Sequence, residues 1–177
     1  MIKQDMIDKL NQQIGAEMYA ANLYLQMSAW CESHGLSGAA AFFRKHVPEE
    51  IEHRDRFVDY LIECDAEVVV SSIDAPPTQF DNLFEVIHAA YEHEQKVTAM
   101  INSLAELALS QNDFNTLNML QFFIAEQREE EVLFRGIIDQ MNLLDFKGEP
   151  GGAMFHINNY LQRLADADAD ADPDSDD

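Results

Sequence analysis

Polar side chains that can bind a metal interrupt the apolar stripe of one helical segment. The segment HVPEEIEHRDR (46–56) places Glu50 and His53 three positions apart, with Phe43 and Phe57 on the same stripe to either side. Residues three apart lie on one face of a helix, so a carboxylate and an imidazole share the face that should be buried. A site that adds nitrogen to oxygen ligands suits iron(II) better than calcium or a structural zinc.

The other long helical segments contain interruptions of the same kind. When apolar residues are followed at spacings of three and four, every stripe is mainly apolar and every stripe is broken near its middle. The residues that break the four stripes are Glu17, Glu50 with His53, Glu94, and Gln127 with Glu130. Because the middle of a helix lies at the same level whether the helix runs up or down, the sequence predicts that these residues meet in one layer of the core.

Four buried carboxylates cannot all stay ionised without partners. Burying one unpaired carboxylate costs several kcal/mol, and a whole domain is stable by only about 5–15 kcal/mol. No lysine or arginine occupies the central turns of the stripes, so either most of these groups are protonated or cations neutralise them. Two divalent ions would balance four carboxylates, with Glu50 as a bridging ligand. A single glutamate on a stripe more often fixes helix register, but four helices with polar groups at one depth favour a metal site.

Other residues near this layer have simpler interpretations. His46 alone is predicted to be a hydrogen-bonded core histidine. The remaining histidines are predicted to be surface or interface residues: His34, His88, His93 and His156. Tyr24 lies seven positions after Glu17 and could belong to the apolar core. Its hydroxyl group would need a hydrogen-bond partner there, and the carboxylate layer supplies one.

Four long helices and one short helix are needed to position these groups. The spacing of apolar residues and the segments that interrupt it predict five helices. They cover 5–34, 38–65, 82–110, the stretch from the break at 110–113 to near Leu144, and 153–165. Asp81 is predicted to cap the third helix. Two connections are short and join antiparallel neighbours, whereas residues 66–80 can span a helix length and make the second and third helices parallel. The sequence therefore predicts an all-α four-helix bundle with one long crossover loop.

Pro48 stands inside the second predicted helix. Proline cannot donate a helical hydrogen bond, and it disfavours a helical conformation for Val47. We expect a distortion over 44–48, either a kink or a local bulge that changes the direction of Glu49 and Glu50.

Charge and composition restrict the class of protein. The 177 residues suit one domain with a substantial core. Thirty-three acidic residues against 11 basic ones give a net charge of −22. Seven aspartates lie in the final segment, 165–177, and −22 + 7 leaves −15 for the remainder. This charge argues against nucleic acid and anionic membranes as partners, and it is compatible with metal cations or with solubility alone.

The cysteines, the apolar segments and the acidic tail predict the cellular compartment and the domain boundaries. Cys31 and Cys64 form neither a metal motif nor a disulfide framework, which indicates a reducing compartment. The first residues lack the apolar core of a signal peptide, and no apolar run of about 18 residues could span a membrane, so a cytoplasmic protein is expected. We divide the chain into a domain at 1–165 and an acidic tail at 166–177, which is predicted to be disordered.

The sequence closely resembles bacterial non-haem ferritin over nearly the whole chain, residues 1–165. The matching segments are GAEMYAANLY with Glu17 and Tyr24, PEEIEH with Glu49, Glu50 and His53, YEHEQ with Glu94, and AEQREEE with Glu126, Gln127, Glu129 and Glu130. One E-x-x-H pair is a weak signal, but the full set in this order is specific. The resemblance implies that the predicted bundle is ferritin-like.

The resemblance also implies a ferroxidase, an enzyme that oxidises iron(II) with O2 or peroxide as acceptor. The implied ligands come from the predicted layer: Glu17, Glu50 and His53 for one iron, and Glu50, Glu94 and Glu130 for the second, with Gln127 beside it. Tyr24 would supply a further electron or hydrogen-bond the site.

A third iron site and a hollow shell are implied as well. The third site would comprise Glu49, Glu126 and Glu129 together with Glu130. Twenty-four identical chains would enclose an iron(III) mineral, with the short fifth helix lining fourfold channels. The sequence does not identify a reductase partner. The acidic tail is outside the family's common pattern. Either it only aids solubility, or it projects into the cavity and concentrates iron.

The sequence differs from the patterns of related proteins at three places. The fourth helix has Gln127-x-x-Glu130 in place of a second E-x-x-H motif, which argues against bacterioferritin, ribonucleotide reductase and rubrerythrin-like enzymes. Ile51 follows Glu50 where bacterioferritin has its haem-binding methionine, so no haem is predicted. Phe122 stands where some relatives carry tryptophan, which removes one electron source.

Two other functions remain compatible with the residues. One is a di-iron oxidase or peroxide-detoxifying enzyme that stores no mineral. The other is a structural bundle whose polar layer only sets helix register. Native mass separates the storage shell from both, and aerobic addition of iron(II) separates an enzyme from a structural bundle.

Overall fold

Residues 2–167 fold into five α-helices. The computed structural model describes residues 2–167, and the regular secondary structure in that range is entirely helical. The helices are α1 (Gln4–Ser33), α2 (Ser37–Glu63), α3 (Leu83–Gln111), α4 (Phe114–Leu143) and α5 (Gly152–Ala167). Each predicted boundary lies within two residues of the observed one, which confirms the all-α class with four long helices and a short fifth.

The helices of the described chain are not membrane spans, since none combines the required length with sufficient apolar character. Helix α5 continues to Ala167, two residues beyond the predicted domain boundary. The rest of the acidic tail lies outside the described residues.

The connection between α2 and α3 runs along α1. Near its start, the side chain of Asn11 donates to the carbonyl oxygen of Glu67 at 3.0 Å and accepts from the N–H of Val69 at 2.7 Å. Near its end, the ring of Phe80 lies 5.7 Å from the ring of Trp30. The interval from Asn11 to Trp30 corresponds to about 28 Å of helix. The connection therefore crosses most of the bundle and makes α3 parallel to α2, which confirms the predicted crossover.

The apolar core consists of two clusters at opposite ends of the bundle. One cluster combines the end of α1, the start of α2 and α3, the end of α4, and α5; its members include Tyr24, Phe43, Ile87, Phe134 and Leu161. The other combines the remaining halves of the long helices; its members include Leu10, Phe57, Ile101, Leu120 and Phe123. The central turns of the four long helices separate the two clusters. The interrupting polar residues lie on these turns, as the single-layer prediction requires.

The start of α3 differs from the prediction by one residue. Asn82, and not Asp81, is the N-cap, because its side-chain oxygen accepts from the N–H of Glu85 at 3.0 Å. In return, the N–H of Asp81 donates to the carboxylate of Glu85, an exchange that resembles a capping box. Asparagine and aspartate are nearly equal as caps, so residue type alone could not choose between these two neighbours.

Helix α2 passes through Pro48 without a break. Residues 44–48 are α-helical and contain no π-helical turn, so of the two predicted alternatives the local bulge is wrong. A proline removes one hydrogen bond from a helix, whereas the fully buried side chains of Phe43 and Phe57 anchor α2 on both sides of it. This packing keeps the helix continuous.

Replacing Gly38 by alanine should loosen the docking of α5. A methyl group on Gly38 would overlap the carbonyl oxygen of Asn158 and lie 3.0 Å from Cβ of Gln162, while the N–H of Ala39 donates to Oδ1 of Asn158 at 3.0 Å. Overpacking of this kind costs about 1–3 kcal/mol, so we expect Gly38→Ala to lower the thermal unfolding temperature.

The matched control for that change is Gly136→Ala within α4. A methyl group there meets nothing within 4 Å, and alanine is favoured over glycine inside a helix by about 0.5–1 kcal/mol. Gly136→Ala should therefore leave the unfolding temperature unchanged or raise it. Equal effects of the two changes would contradict close docking of α5.

Candidate metal centre

The polar residues predicted from the stripes lie together between the two apolar clusters. Five of them are buried: Glu17, Glu50, His53, Glu94 and Gln127. Glu130 is partly exposed, with 18% of its side chain accessible. Each of the four long helices contributes at least one of these side chains.

Three of these side chains form one compact group. A carboxylate oxygen from Glu17, another from Glu50 and a ring nitrogen of His53 all lie within 4.8 Å of one another. Nδ1 of His53 is 3.4 Å from Oε2 of Glu50. Such spacing allows one cation to contact all three atoms after small side-chain adjustments, because metal–ligand bonds to nitrogen and oxygen are about 2.0–2.2 Å long.

Glu94 is held by hydrogen bonds at both carboxylate oxygens. The hydroxyl group of Tyr24 donates to Oε1, and Nε2 of Gln127 donates to Oε2 at 2.9 Å. Nε2 of Gln127 also lies 3.4 Å from Oγ1 of Thr98. These contacts connect α1, α3 and α4 across the layer, and Tyr24 thereby has the partner that its buried hydroxyl requires.

Burial makes the metal-free layer retain protons. It raises the pKa of Glu17 well above its usual range, and the charge of Glu50 raises it further. The pKa of Glu50 is raised by burial and then by the charge of Glu94. Burial together with the charges of Glu94 and Glu50 raises the pKa of Glu130 to about 9. A cation entering this layer must therefore displace protons from carboxyl groups.

Tyr24 keeps its proton for the same reason. Burial raises the pKa of its phenol well above the usual value, and the neighbouring charge of Glu94 raises it further. The phenol is thus a neutral hydrogen-bond donor to Glu94.

The residues of the implied third iron site are spread over a larger area. Oε2 of Glu126 lies 4.0 Å from Nε2 of His53, and Glu129 is exposed beside Arg128. In the described chain, neither Glu126 nor Glu129 belongs to a compact group of three metal-binding side chains. Glu49 and Glu130 do belong to one, and its third member is His46.

Sequence analysis missed two buried polar residues. Gln13 is fully buried, although the predicted α1 stripe passed through Ile14 and Glu17. His93 was predicted to be a surface or interface residue, but it is buried in the described chain, with its ring 5.4 Å from that of Tyr19. Burial lowers the pKa of His93.

A helical spacing that the stripes left out could have identified both residues. Gln13 follows Leu10 by three positions and precedes Glu17 by four, while His93 follows Ala90 by three and precedes Val97 by four. Helices α1 and α3 each bury a second line of residues beside the first, as close neighbours in a bundle do.

Gln13 positions one of the central carboxylates. Its Nε2 donates to Oε1 of Glu17 at 2.8 Å, whereas its own Oε1 is buried without a hydrogen-bond partner in the described chain. Gln13→Leu should weaken binding of a divalent cation to the group containing Glu17 by about 10–100-fold, the usual effect of losing a residue that orients a ligand. Titration of the metal-free protein with Zn²⁺ measures this change.

The control for this prediction is Gln12→Leu, a change at the exposed neighbour of Gln13. It should leave zinc affinity unchanged. Unfolding stability of the Gln13→Leu protein should change little, because the lost hydrogen bond to Glu17 is offset by removal of an unpaired buried oxygen. A parallel loss of stability and affinity would indicate that Gln13 only supports packing.

Comparisons with known proteins identify ferritins as relatives of this chain. A family model described as a ferritin-like domain matches residues 7–144. The chain is 42% identical over 165 residues to a bacterial non-heme ferritin of Campylobacter jejuni, covering 93% of this chain and 97% of the relative. It is 41% identical over 164 residues to a bacterial non-heme ferritin of Escherichia coli O157:H7, covering 93% and 98%. A solved open pore ferritin from Archaeoglobus fulgidus superposes with a TM-score of 0.86 at 34% identity, covering 92% of this chain and 98% of that one.

Proposed function

The chain belongs to the ferritin family, and on this premise we propose that it stores iron and oxidises iron(II) at the central layer of its bundle. The observation that carries the proposal is the convergence of Glu17, Glu50 and His53 within 4.8 Å in a buried layer. Two further carboxylates lie near this group, because the charge of Glu94 raises the pKa of Glu50 and the charge of Glu50 raises the pKa of Glu130. Iron is here the substrate and the stored product.

Charge balance supports two iron ions. Glu17, Glu50, Glu94 and Glu130 carry four negative charges when ionised, and two iron(II) ions carry four positive charges. In the metal-free protein, burial keeps the pKa values of Glu17, Glu50 and Glu130 high. Each iron that enters thus exchanges for protons, and the buried layer becomes neutral overall.

Each residue has a distinct role in this proposal. Glu17 and His53 bind the first iron, Glu94 and Glu130 bind the second, and Glu50 bridges them. Gln127 holds Oε2 of Glu94 in place. Two electrons, one from each iron, reduce O2 to hydrogen peroxide or hydrogen peroxide to two water molecules, and two protons are taken up in either case. Tyr24 donates a hydrogen bond to Glu94, which places its phenol where a further electron can be supplied.

The assembly and the third iron site are part of the same proposal. We infer a cytoplasmic shell of 24 copies in which iron(III) accumulates as mineral, with Glu49, Glu126, Glu129 and Glu130 binding iron on its way to the interior. Family membership supports the shell. The partial exposure of Glu49, Glu126 and Glu130 supports a path from the layer to the bundle surface.

Aerobic titration of the size-selected assembly with iron(II) tests this function. We expect rapid oxidation of about two iron ions per chain, followed by slower oxidation with the added iron retained on gel filtration. Fast oxidation without retained iron would instead indicate a di-iron oxidase or peroxidase. Oxidation at the rate of free iron(II) in buffer would indicate a structural bundle and overturn the proposal.

A further inference from the structure

One buried histidine has no place among the proposed iron ligands. His93 lies on α3 next to Glu94 and is only 9% exposed. Its Nε2 is buried and has no hydrogen-bond partner among the residues that the structure describes. A buried polar atom without a partner costs free energy that an apolar side chain would avoid, so packing alone does not explain an imidazole at this position.

The other buried histidine beside Tyr24 is different. Nδ1 of His46 lies 2.8 Å from the carbonyl oxygen of Phe42, and Nδ1 is the donor because a carbonyl oxygen only accepts. This contact confirms the prediction of a hydrogen-bonded core histidine. Nε2 of His93 has no such bond, and what distinguishes His93 is the pair of rings that it contacts.

The ring of His93 lies beside two tyrosines of α1. Its centroid is 5.4 Å from that of Tyr19 and 6.4 Å from that of Tyr24, and both distances are typical of aromatic contacts. Tyr19 and Tyr24 are five positions apart, which places them about 140° apart around the helix. They therefore share no face of α1, and His93 of the neighbouring helix α3 provides the contact between them.

The three rings lead from the central layer towards solvent. Tyr24 is fully buried, and its hydroxyl group donates to Glu94 in the layer. Tyr19 is half-buried, so it is accessible from outside the bundle. The row formed by Tyr24, His93 and Tyr19 thus connects a residue of the layer with a residue at the surface of the chain.

The remaining ring neighbours of Tyr24 lead only into the apolar core. They are Phe43, His46 and Phe134, and all three are buried. Among the described residues, His93 is therefore the one ring neighbour of Tyr24 that also contacts a second tyrosine.

We propose that Tyr19 and His93 form an electron relay that connects Tyr24 with solvent. Tyr24 is the residue proposed to supply a further electron during iron oxidation, and a tyrosine that has lost an electron must regain one before the next turnover. Electron transfer weakens steeply with distance, so a row of contacting rings is a better path than the aliphatic core. The inference rests on the proposed function only for the oxidant that first removes the electron from Tyr24.

Each electron and each proton has a destination in this relay. When O2 or hydrogen peroxide takes one electron from Tyr24, the phenol proton passes to Glu94 and a neutral tyrosyl radical remains. Tyr19 then gives one electron to Tyr24 through the ring of His93 and releases its own phenol proton to solvent, while Tyr24 regains the proton from Glu94. A one-electron donor in solvent, such as iron(II), restores Tyr19 and becomes iron(III). His93 is a positioning residue in this step and is not itself oxidised.

Chemical oxidation of the metal-free assembly tests the relay without iron. Tris(bipyridine)ruthenium(III) is a one-electron oxidant that is too bulky to reach the buried ring of Tyr24. After rapid mixing and freezing, we expect an electron paramagnetic resonance signal from a Tyr24 radical, identified as the component that Tyr24→Phe removes. Tyr19→Phe and His93→Leu should each lose most of this component. Phenylalanine fills nearly the same space as tyrosine, so Tyr19→Phe removes the oxidisable group and keeps the packing.

Two further variants separate a relay from a packing role. Tyr19→Trp should restore the Tyr24 component, because an indole can also be oxidised by one electron. Tyr91→Phe is the matched control, since Tyr91 is a half-buried tyrosine of α3 outside the row of three rings. It should retain the component in full.

The relay is overturned if the oxidant produces no Tyr24 radical in the parent protein, if Tyr19→Phe retains that radical at the parent level, or if Tyr91→Phe loses as much of it as Tyr19→Phe. A second measurement follows aerobic addition of iron(II), when the Tyr24 radical should persist longer in Tyr19→Phe than in the parent. Equal lifetimes would also contradict the relay. The first measurement uses no iron, so failure of the relay and failure of the ferroxidase proposal are distinguishable.

Discussion

Replacing Glu17 by alanine is expected to lower the rate of rapid aerobic iron(II) oxidation by at least about 100-fold, a loss of roughly 3 kcal/mol in transition-state stabilisation. Glu17 is the only carboxylate that α1 contributes to the central layer. Without it, the first iron keeps Glu50 and His53 as its protein ligands, and the charge of two iron(II) ions exceeds that of the remaining three carboxylates. Stopped-flow absorbance of the iron(III) product measures the rate.

Assembly should survive this change. Glu17 is 2% exposed and its pKa is raised by burial, so the metal-free protein gains no net stability from its charge. Native mass of the Glu17→Ala protein should therefore equal that of the parent.

A carboxylate on the same helix supplies the control for Glu17→Ala. Glu32 lies on α1 and is exposed, so Glu32→Ala should oxidise iron(II) at the parent rate. Glu130→Ala should be as slow as Glu17→Ala, because the second iron then loses a ligand. Parent rates in both Glu17→Ala and Glu130→Ala would remove the central layer from consideration as the oxidation site.

The central layer could be predicted from the sequence because it depends only on how far each polar residue lies from the ends of its own helix. The distance of Glu17, Glu50, Glu94 and Glu130 from the helix ends fixes their height in the bundle. The predicted helix boundaries are accurate enough for this purpose, since an error of two residues moves a side chain by only about 3 Å along the helix axis. Height alone therefore brings the four carboxylates to one level.

The grouping around His46 could not be predicted in this way, because it depends on register between α2 and α4. These helices run in opposite directions, so residue numbers rise along one as they fall along the other. Phe57 stacks on Phe123 with ring centroids 4.0 Å apart, and Glu126 consequently lies opposite His53. Glu130 lies four residues further along α4, opposite His46. A stripe read along a single helix contains no information about this pairing.

The sequence pattern also does not show which residues next to a stripe are buried. His93 adjoins Glu94 in sequence, and the spacing that passes through Glu94 leaves His93 on the flank. Helix α3 packs closely against both α1 and α4, which buries a wider face than one stripe describes. The width of a buried face depends on how many neighbours a helix has, and that number follows from the assembled bundle.

The metal-free protein is expected to lose stability as the pH rises from about 5 to about 9. Glu130 has a pKa of about 9 in the folded chain and an ordinary value near 4.3 when unfolded, so the folded state binds the extra proton between these pH values. Stability from this proton is fully present below the unfolded pKa and is lost as the pH rises through the folded pKa. Each pKa unit corresponds to about 1.4 kcal/mol, so the total loss is several kcal/mol.

Glu17 and Glu50 add to this loss, because burial raises their pKa values in the same direction. Divalent cations should reverse the trend. Binding requires the ionised carboxylates, so stabilisation by Zn²⁺ should increase with pH and be accompanied by proton release. Thermal unfolding from pH 5 to pH 9, measured once with a chelator and once with excess Zn²⁺, gives the change of stability with pH for the metal-free and the zinc-bound protein.

Glu130→Gln isolates the contribution of one carboxyl group to the pH dependence of metal-free stability. A glutamine cannot ionise, so this variant should lose less stability than the parent between pH 5 and pH 9 and should be the more stable of the two at pH 9. Glu129→Gln, one residue away on the exposed face of α4, should follow the parent curve. If the parent and Glu130→Gln lose stability equally with rising pH, Glu130 is ionised throughout this range. In that case the metal-free layer does not hold the protons that an entering cation is proposed to displace.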